Sequence, residues 1–223
     1  AFMKANYPVP YITAILTAES GDTDRVSEII REAEKMGIEV LPPDINECLG
    51  NFTVIHSEDE TKLDNIRFGL YTIKNLGTDI SDAIVEERKK NGKYTSMENF
   101  LERVTHKNMN KRALEALLKA GAMNSFGERG KFIANMENLL AFNKSFTKQN
   151  KDQGSLFGAD LAPKAVLKLE EAEPATKDEK LLWEKELLGV YVSGHPLDKF
   201  REKLEGKPAL SQVRIKGRED QEI

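Results

Sequence analysis

Ile73-Lys74-Asn75-Leu76-Gly77-Thr78-Asp79-Ile80-Ser81-Asp82-Ala83-Ile84-Val85-Glu86-Glu87-Arg88 is the stretch whose reading decides the fold. It reads as an apolar helix end, a tight turn containing glycine, and a new helix with Thr78 or Asp79 near its N-cap. A glycine in such a turn lets the backbone approach a ligand closely. The first N–H groups of the new helix have no intrahelical partner. They carry the positive end of the helix dipole, so they can hold a phosphate. Basic residues stand on both sides: Lys74, Arg88, Lys89, Lys90 and Lys93. An ordinary helical hairpin with solvated lysines would show the same pattern.

A second helix raises the weight of the first. Asn110-Lys111-Arg112-Ala113-Leu114-Glu115-Ala116-Leu117-Leu118-Lys119-Ala120-Gly121-Ala122 has a basic first turn and a glycine terminator. Leu114, Leu117 and Leu118 would pack in the core. Two adjacent hairpins with basic ends suit a module that tracks the nucleic-acid backbone without reading sequence.

Upstream, Tyr11, Ile12, Ala14, Ile15 and Leu16 recur at near-helical spacing after Pro10. Thr23 or Asp24 can cap a second helix whose apolar stripe is Val26, Ile29, Ile30 and Ala33. Gly37 sits where a left-handed C-terminal residue is wanted. Ile38 to Leu41 and Phe52 to Ile55 are short strand candidates. Between Ile66 and Leu140 several short helices are expected. Their core is Val85, Phe100, Leu101, Val104, Leu114, Leu117, Leu118 and Ile133. From Asn143 to Lys177 the chain is polar, broken by Pro163 and Pro174, and reads as a linker. Helix returns with Leu181, Leu182, Trp183, Leu187 and Leu188 as its apolar positions.

The 223 residues suffice for one sizeable domain or two small ones. Hydrophobic residues make up 39% and charged residues 31%, a composition of soluble helical proteins rather than membrane proteins. A net charge of −4 argues against indiscriminate nucleic-acid binding, but charge effects reach only about 10 Å at 0.1 M salt, so a local basic face is compatible with it. Cys48 stands alone, which excludes an internal disulfide and a cysteine-based zinc cluster. His56, His106 and His195 show no ligand spacing. Asp22 with Asp24, and Asp79 with Asp82, read as helix-capping and first-turn charges rather than metal ligands. The chain starts at Ala1 without an initiator methionine, and both ends read as cut from a longer protein.

Taken in order, these motifs resemble a known family. Arg67-Phe68-Gly69-Leu70, Ile73-Lys74-Asn75-Leu76-Gly77, Phe100-Leu101-Glu102-Arg103-Val104, Asn110-Lys111-Arg112 and Lys119-Ala120-Gly121-Ala122 resemble the tandem helix-hairpin-helix of bacterial polymerase III alpha subunits, the C-family replicative polymerases. Ala5-Asn6-Tyr7-Pro8 and Gly37 to Asn46 resemble the end of that family's fingers region. Glu186-Leu187-Leu188-Gly189 and Ser193-Gly194-His195-Pro196-Leu197-Asp198 resemble the segment before its OB-fold. One departure is clear: the usual turn has two glycines flanking an apolar residue, and here the first is Asn75. Asparagine tolerates left-handed geometry better than most residues.

The resemblance implies a mostly α fold with small β additions. Its parts would be a distal fingers segment (1–65), a helix-hairpin-helix DNA-binding domain (66–142), a flexible linker (143–176) and a helical segment (177–223) leading toward a missing OB-fold. Duplex or primed DNA would be gripped by Lys74, Asn75, Leu76, Gly77, Thr78, Arg88, Lys89, Lys111 and Arg112. Gln153-Gly154-Ser155-Leu156-Phe157 resembles the bacterial sliding-clamp-binding pentapeptide, with Gln153, Ser155, Leu156 and Phe157 as its contacts. The parent protein would be a cytoplasmic DNA-directed DNA polymerase that uses Mg2+ and binds other replicase subunits. No stretch here matches its catalytic palm, so no catalytic or metal-binding residue and no cofactor is expected in this segment. The alternative is a helix-hairpin-helix scaffold of a DNA-repair protein; a third reading is a purely structural helical adaptor.

Overall fold

Proline is at home in the first turn of a helix, where its missing N–H would find no partner anyway. Pro8 uses that freedom. In the computed structural model, which describes residues 2–57, 59, 63–151 and 166–197, a short α1 (Phe2–Asn6) leads into α2 (Pro8–Ala18). Val9, Ile12 and Leu16 form its buried face. α3 (Thr23–Lys35) packs against it through Val26, Ile29, Ile30 and Ala33. The cap of α3 is Asp22, a residue or two earlier than the sequence suggests. Its carboxylate accepts from the N–H groups of Asp24 and Arg25 at 3.0 and 3.1 Å, serving two orphan donors at once. Gly37, at φ +77°, ends the helix in left-handed geometry.

A small sheet follows, made of β1 (Val40–Leu41), β2 (Thr53–Ile55) and β3 (Asn65–Arg67) in the order β1-β3-β2. β3 runs parallel to β1 and antiparallel to β2. The central strand, β3, was not foreseen, because three residues give too little alternation to register. It straddles the expected boundary between residues 65 and 66. Beyond it the chain passes so close to the loop after Cys48 that a Cβ on Gly69 would stand 2.2 Å from the Gly50 carbonyl.

A 3-10 turn (Leu70–Thr72) opens the helical block: α4 (Thr78–Asn91), α5 (Met97–Arg103), α6 (Lys111–Lys119), α7 (Arg129–Ala134), α8 (Met136–Lys151) and α9 (Lys177–Leu188). The expected core residues Val85, Phe100, Leu101, Val104, Leu114, Leu117 and Leu118 are buried, and Ile133 is partly so. A single apolar cluster runs from Ile12 through Ile66, Ile84 and Leu117 to Leu139 and Leu188. The architecture is therefore mostly helical with a three-stranded addition. None of the described helices is long and apolar enough to cross a membrane.

Two parts depart from the expected linker. α8 continues to Lys151, well past Asn143. Asn143 is buried, and its amide donates to the carbonyls of Leu101 and Val104 at 2.7 and 2.9 Å, so a polar residue there anchors the helix. Residues 167–176 form an extended strap lying along α7 and α8. Asn135 exchanges hydrogen bonds with the Glu170 backbone at 2.7 and 2.9 Å, and Glu128 accepts from the Ala175 N–H at 3.1 Å. The strap ends in a capping box, Thr176 with Glu179, that starts α9. Leu181, Leu187 and Leu188 of α9 are buried as expected, but Leu182 is 64% exposed. An ion pair that no sequence pattern announces fixes the helix. Arg129 and Glu184, both buried, meet at 3.0 Å. The second Glu184 oxygen accepts from the N–H groups of Val192 and Ser193.

Candidate nucleic-acid interface

The interface is built around the N-terminal end of α4. Ile73, buried, ends the preceding turn, and Asn75 adopts φ +69°, the only positive φ outside glycine among the described residues. That conformation costs most residues about 1–2 kcal/mol, while asparagine visits it readily. Asn75 therefore performs the turn that a first glycine would. Leu76 is 7% exposed and pins the turn to the core, a structural role rather than the DNA contact expected of it.

Gly77 is the N-cap of α4, so the cap lies one residue before Thr78. Its φ of −69° requires no glycine, and a Cβ built there meets nothing within 4 Å. The position has open space rather than strain. No side chain caps α4, so its first N–H groups face outward with the positive end of the dipole. Thr78 and Asp79 of the first turn are exposed.

The second hairpin brings its own turn to the same place. Asn110 caps α6 by accepting from the Ala113 N–H at 3.0 Å, leaving Lys111 and Arg112 exposed in the first turn. Arg112 donates to the Asn75 side-chain oxygen at 2.5 Å, joining the two turns directly. Asn108, in the loop before α6, reaches Asp79 at 3.4 Å and turns that carboxylate toward itself. Lys74 and Lys111 make no ion pair among the described residues. The exposed Lys107 stands in the same loop. Lys107 and Asn108 were absent from the expected set. The only sequence signal for them is a polar, basic loop between two helices.

Arg88 does not belong to this site, which corrects the expected grouping. Its guanidinium donates to the carbonyls of Ile45 at 2.7 Å and Cys48 at 2.6 Å. Lys89 lies eleven residues along α4 from Thr78, about 16 Å at 1.5 Å per residue, and so serves the far end of the helix. At that end Arg103 fastens α5 by donating to the carbonyls of Glu87, Gly92 and Lys93 and to the Glu87 carboxylate at 3.0 Å. Tyr94 lies under the Arg103 guanidinium, 4.4 Å from its ring centre, and burial pushes its phenol up in pKa. Nearby, burial pushes the Cys48 thiol up to about 12, so it is an inert packing group that bonds the Phe68 carbonyl at 2.9 Å. Gln153, Ser155, Leu156 and Phe157 lie outside the described residues.

Two short turns, each opening a helix and joined side chain to side chain, are the turns of a helix-hairpin-helix domain. The helix-hairpin-helix motif family matches residues 37–131. Beyond that motif, the chain is 41% identical over 202 residues to DNA polymerase III subunit alpha of Thermus aquaticus, covering 90% of this chain and 16% of the relative. The same subunit of Deinococcus radiodurans is 40% identical, with 89% and 15% covered, and that of Borreliella burgdorferi 39%, with 95% and 18% covered. Over nine-tenths of its length the chain is thus a relative of the DNA polymerase III alpha subunits, as its motifs implied. It spans about one-sixth of the length of these curated relatives.

Proposed function

We propose that this chain is part of a replicative DNA-directed DNA polymerase and that it holds duplex DNA by its phosphates at the joined turns of the two hairpins. The observation that carries the reading is the Arg112–Asn75 contact. It sets the uncapped start of α4 beside the basic first turn of α6, so backbone N–H groups and the cations Lys74, Lys111 and Arg112 converge. Such a site recognises phosphate charge and spacing, not base sequence. A repair scaffold built on the same motif would need to share residues 37–131 alone, whereas the similarity to the alpha subunits extends well beyond them. An inert adaptor would not need an open helix N-terminus.

The polymerase reaction itself is assigned to no residue of this chain. Among the described residues no three of His, Cys, Asp and Glu gather where they could hold a metal ion. The Mg2+ chemistry of such an enzyme is placed with its catalytic palm, which no stretch of this sequence resembles. Gln153, Ser155, Leu156 and Phe157 would bind the sliding clamp, an assignment that rests on their pattern in a polar stretch. Other replicase subunits and a cytoplasmic location follow from the same reading.

Titration of the chain with a fluorescent duplex across a salt series tests the central claim. Charge reversal by Lys74→Glu with Lys111→Glu should weaken binding at low salt. Each lost phosphate contact reduces the slope of log affinity against log salt by about one. Unchanged affinity and slope would move the site elsewhere. Leu156→Ala with Phe157→Ala should abolish binding to the clamp and leave duplex binding intact.

A further inference from the structure

A recess opens beside the first hairpin, where the turn between α2 and α3, the loop after Cys48, the segment before α4 and the end of α9 meet. Its volume is about 190 Å3. Val26, Phe52, Phe68 and Leu188, all buried, line it from within; Tyr71 and Lys74, both exposed, stand on its wall. Phe52 and Phe68 pack ring against ring at 4.8 Å. The Tyr71 ring is held from two directions. It lies so close over Gly50 that a Cβ there would stand 2.4 Å from it, and its hydroxyl donates to Asp82. An aromatic ring fixed before the ligand arrives loses little freedom on binding.

We propose that this recess takes a single unpaired pyrimidine base from a DNA strand held at the hairpin, an inference that rests on the duplex-binding reading above. Three observations carry it. Beside apolar Val26 and Leu188 and the Tyr71 ring, which suit the face of a base, the lining sets the hydroxyls of Ser20, Thr23 and Thr72, which can bond its polar edge. Lys74 belongs both to the recess and to the turn beside Asn75, so the phosphate next to an inserted base meets a cation. The volume selects the size of the guest. An apolar cavity of about 150 Å3 holds one benzene ring, and drug-sized ligands need about 300–1,000 Å3, so a one-ring base fits better than a purine.

The test uses one duplex in three forms: blunt, with a two-thymidine overhang, and with a two-deoxyadenosine overhang. Affinity is read by fluorescence anisotropy. The thymidine overhang should bind at least about fivefold tighter than the blunt end, the low end of base stacking on an aromatic side chain. The deoxyadenosine overhang should gain less. Gly21 lines the recess, and a side chain there meets nothing within 4 Å. Gly21→Leu should therefore fill the recess, cancel the preference and leave blunt-end affinity unchanged. Tyr71→Phe, which keeps the ring, should retain the preference, and Tyr71→Ala should lose it. Equal binding of blunt and thymidine ends by the unaltered chain overturns the proposal, as does a preference that survives Gly21→Leu. Those results leave duplex binding standing. A chain that binds no duplex at any salt concentration overturns both.

Discussion

At its C-terminal end α4 is tied down by arginines. Arg88 reaches back to the carbonyls of Ile45 and Cys48, and Arg103 gathers those of Glu87, Gly92 and Lys93. At its N-terminal end the same helix has no side-chain cap, and the cations around it are exposed: Lys74 before the turn, and Lys111 and Arg112 across from it. Arg88 and Arg112 look alike in the sequence, each within a basic cluster near a helix end. What separates them is the partner. Carbonyl oxygens at helix and loop ends need donors once buried, and a guanidinium with five N–H groups supplies several at once. Arginines engaged in that way hold the fold, while those left facing solvent beside open N–H groups remain available to an outside anion.

Arg129 carries the structural use to its limit, and its removal should give the largest effect. Its guanidinium meets Glu184 in the interior and also donates to Asn124 at 2.8 Å and to the Lys119 carbonyl at 3.2 Å. Arg129→Met leaves a buried carboxylate without its cation, which costs about 3–5 kcal/mol. Chemical denaturation should show that loss. A change below about 1 kcal/mol would mean that the pair does not hold α9 in place.

The next effect sets the two ends of α4 directly against each other. Arg88→Ala deprives two carbonyls of their donor and should lower stability by about 1–3 kcal/mol per unsatisfied group, while the salt slope of duplex binding stays the same. Arg112→Ala should do the opposite, leaving the unfolding free energy within about 0.5 kcal/mol of the parent, as for other exposed positions, and reducing the salt slope by about one. If Arg88→Ala changed the slope and Arg112→Ala the stability, the division of labour drawn here would be reversed.

Asn75 gives a smaller and sharper contrast. Asn75→Ala places an ordinary residue at φ +69° and should cost about 1 kcal/mol. Asn75→Gly suits that backbone but removes the oxygen that Arg112 holds, so stability should persist while duplex affinity changes. Equal stabilities for the alanine and glycine variants would show that the turn relaxes out of its left-handed form.

Much of this arrangement was legible because local rules set it. The stripes of α3 and α6, the Gly37 terminator and the tolerance of Asn75 for positive φ all follow from residues within a turn or two of each other. Phosphate contact was expected of Arg88 because its partners, Ile45 and Cys48, lie 43 and 40 residues away in the chain, where no pattern announces them. β3 was missed because its register depends on Val40 and Thr53 rather than on its own alternation. The strap reads as linker in the sequence because only Leu167 and Leu169 pack apolar side chains on the core, too short an alternation to register, while its other anchors are backbone groups and the side chains of Glu128 and Asn135. The recess was invisible for the same reason: Gly21, Phe52, Tyr71 and Leu188 come together only in space.

The strap also offers the mildest test of paired against unpaired charge. Glu128 accepts from the N–H groups of Lys131 and Ala175, both at 3.1 Å, and pairs with Lys180 at 2.8 Å. Burial alone would raise its pKa, but the bonds from Lys180, Lys131 and Ala175 outweigh it and hold the carboxyl below its ordinary value of 4.5. The sign of the linkage follows. A carboxylate whose pKa is depressed by folding contributes its stability in full above the unfolded value and loses it as pH falls through the folded one. Docking of the strap should therefore be constant near neutrality and weaken as pH falls below about 4.5. Hydrogen exchange at the Ala175 amide, corrected for the intrinsic pH dependence of exchange, reads this directly. Glu128→Gln should lower protection at neutral pH and remove the acid-dependent loss. The amide bonds of Asn143 to Leu101 and Val104 involve no titrating group and should keep α8 protected over the same interval. An Ala175 amide whose protection did not change on acidification, or changed equally in Glu128→Gln, would show that the strap is held by contacts other than the Glu128 carboxylate, among them the bonds to Asn135 and the packing of Leu167 and Leu169.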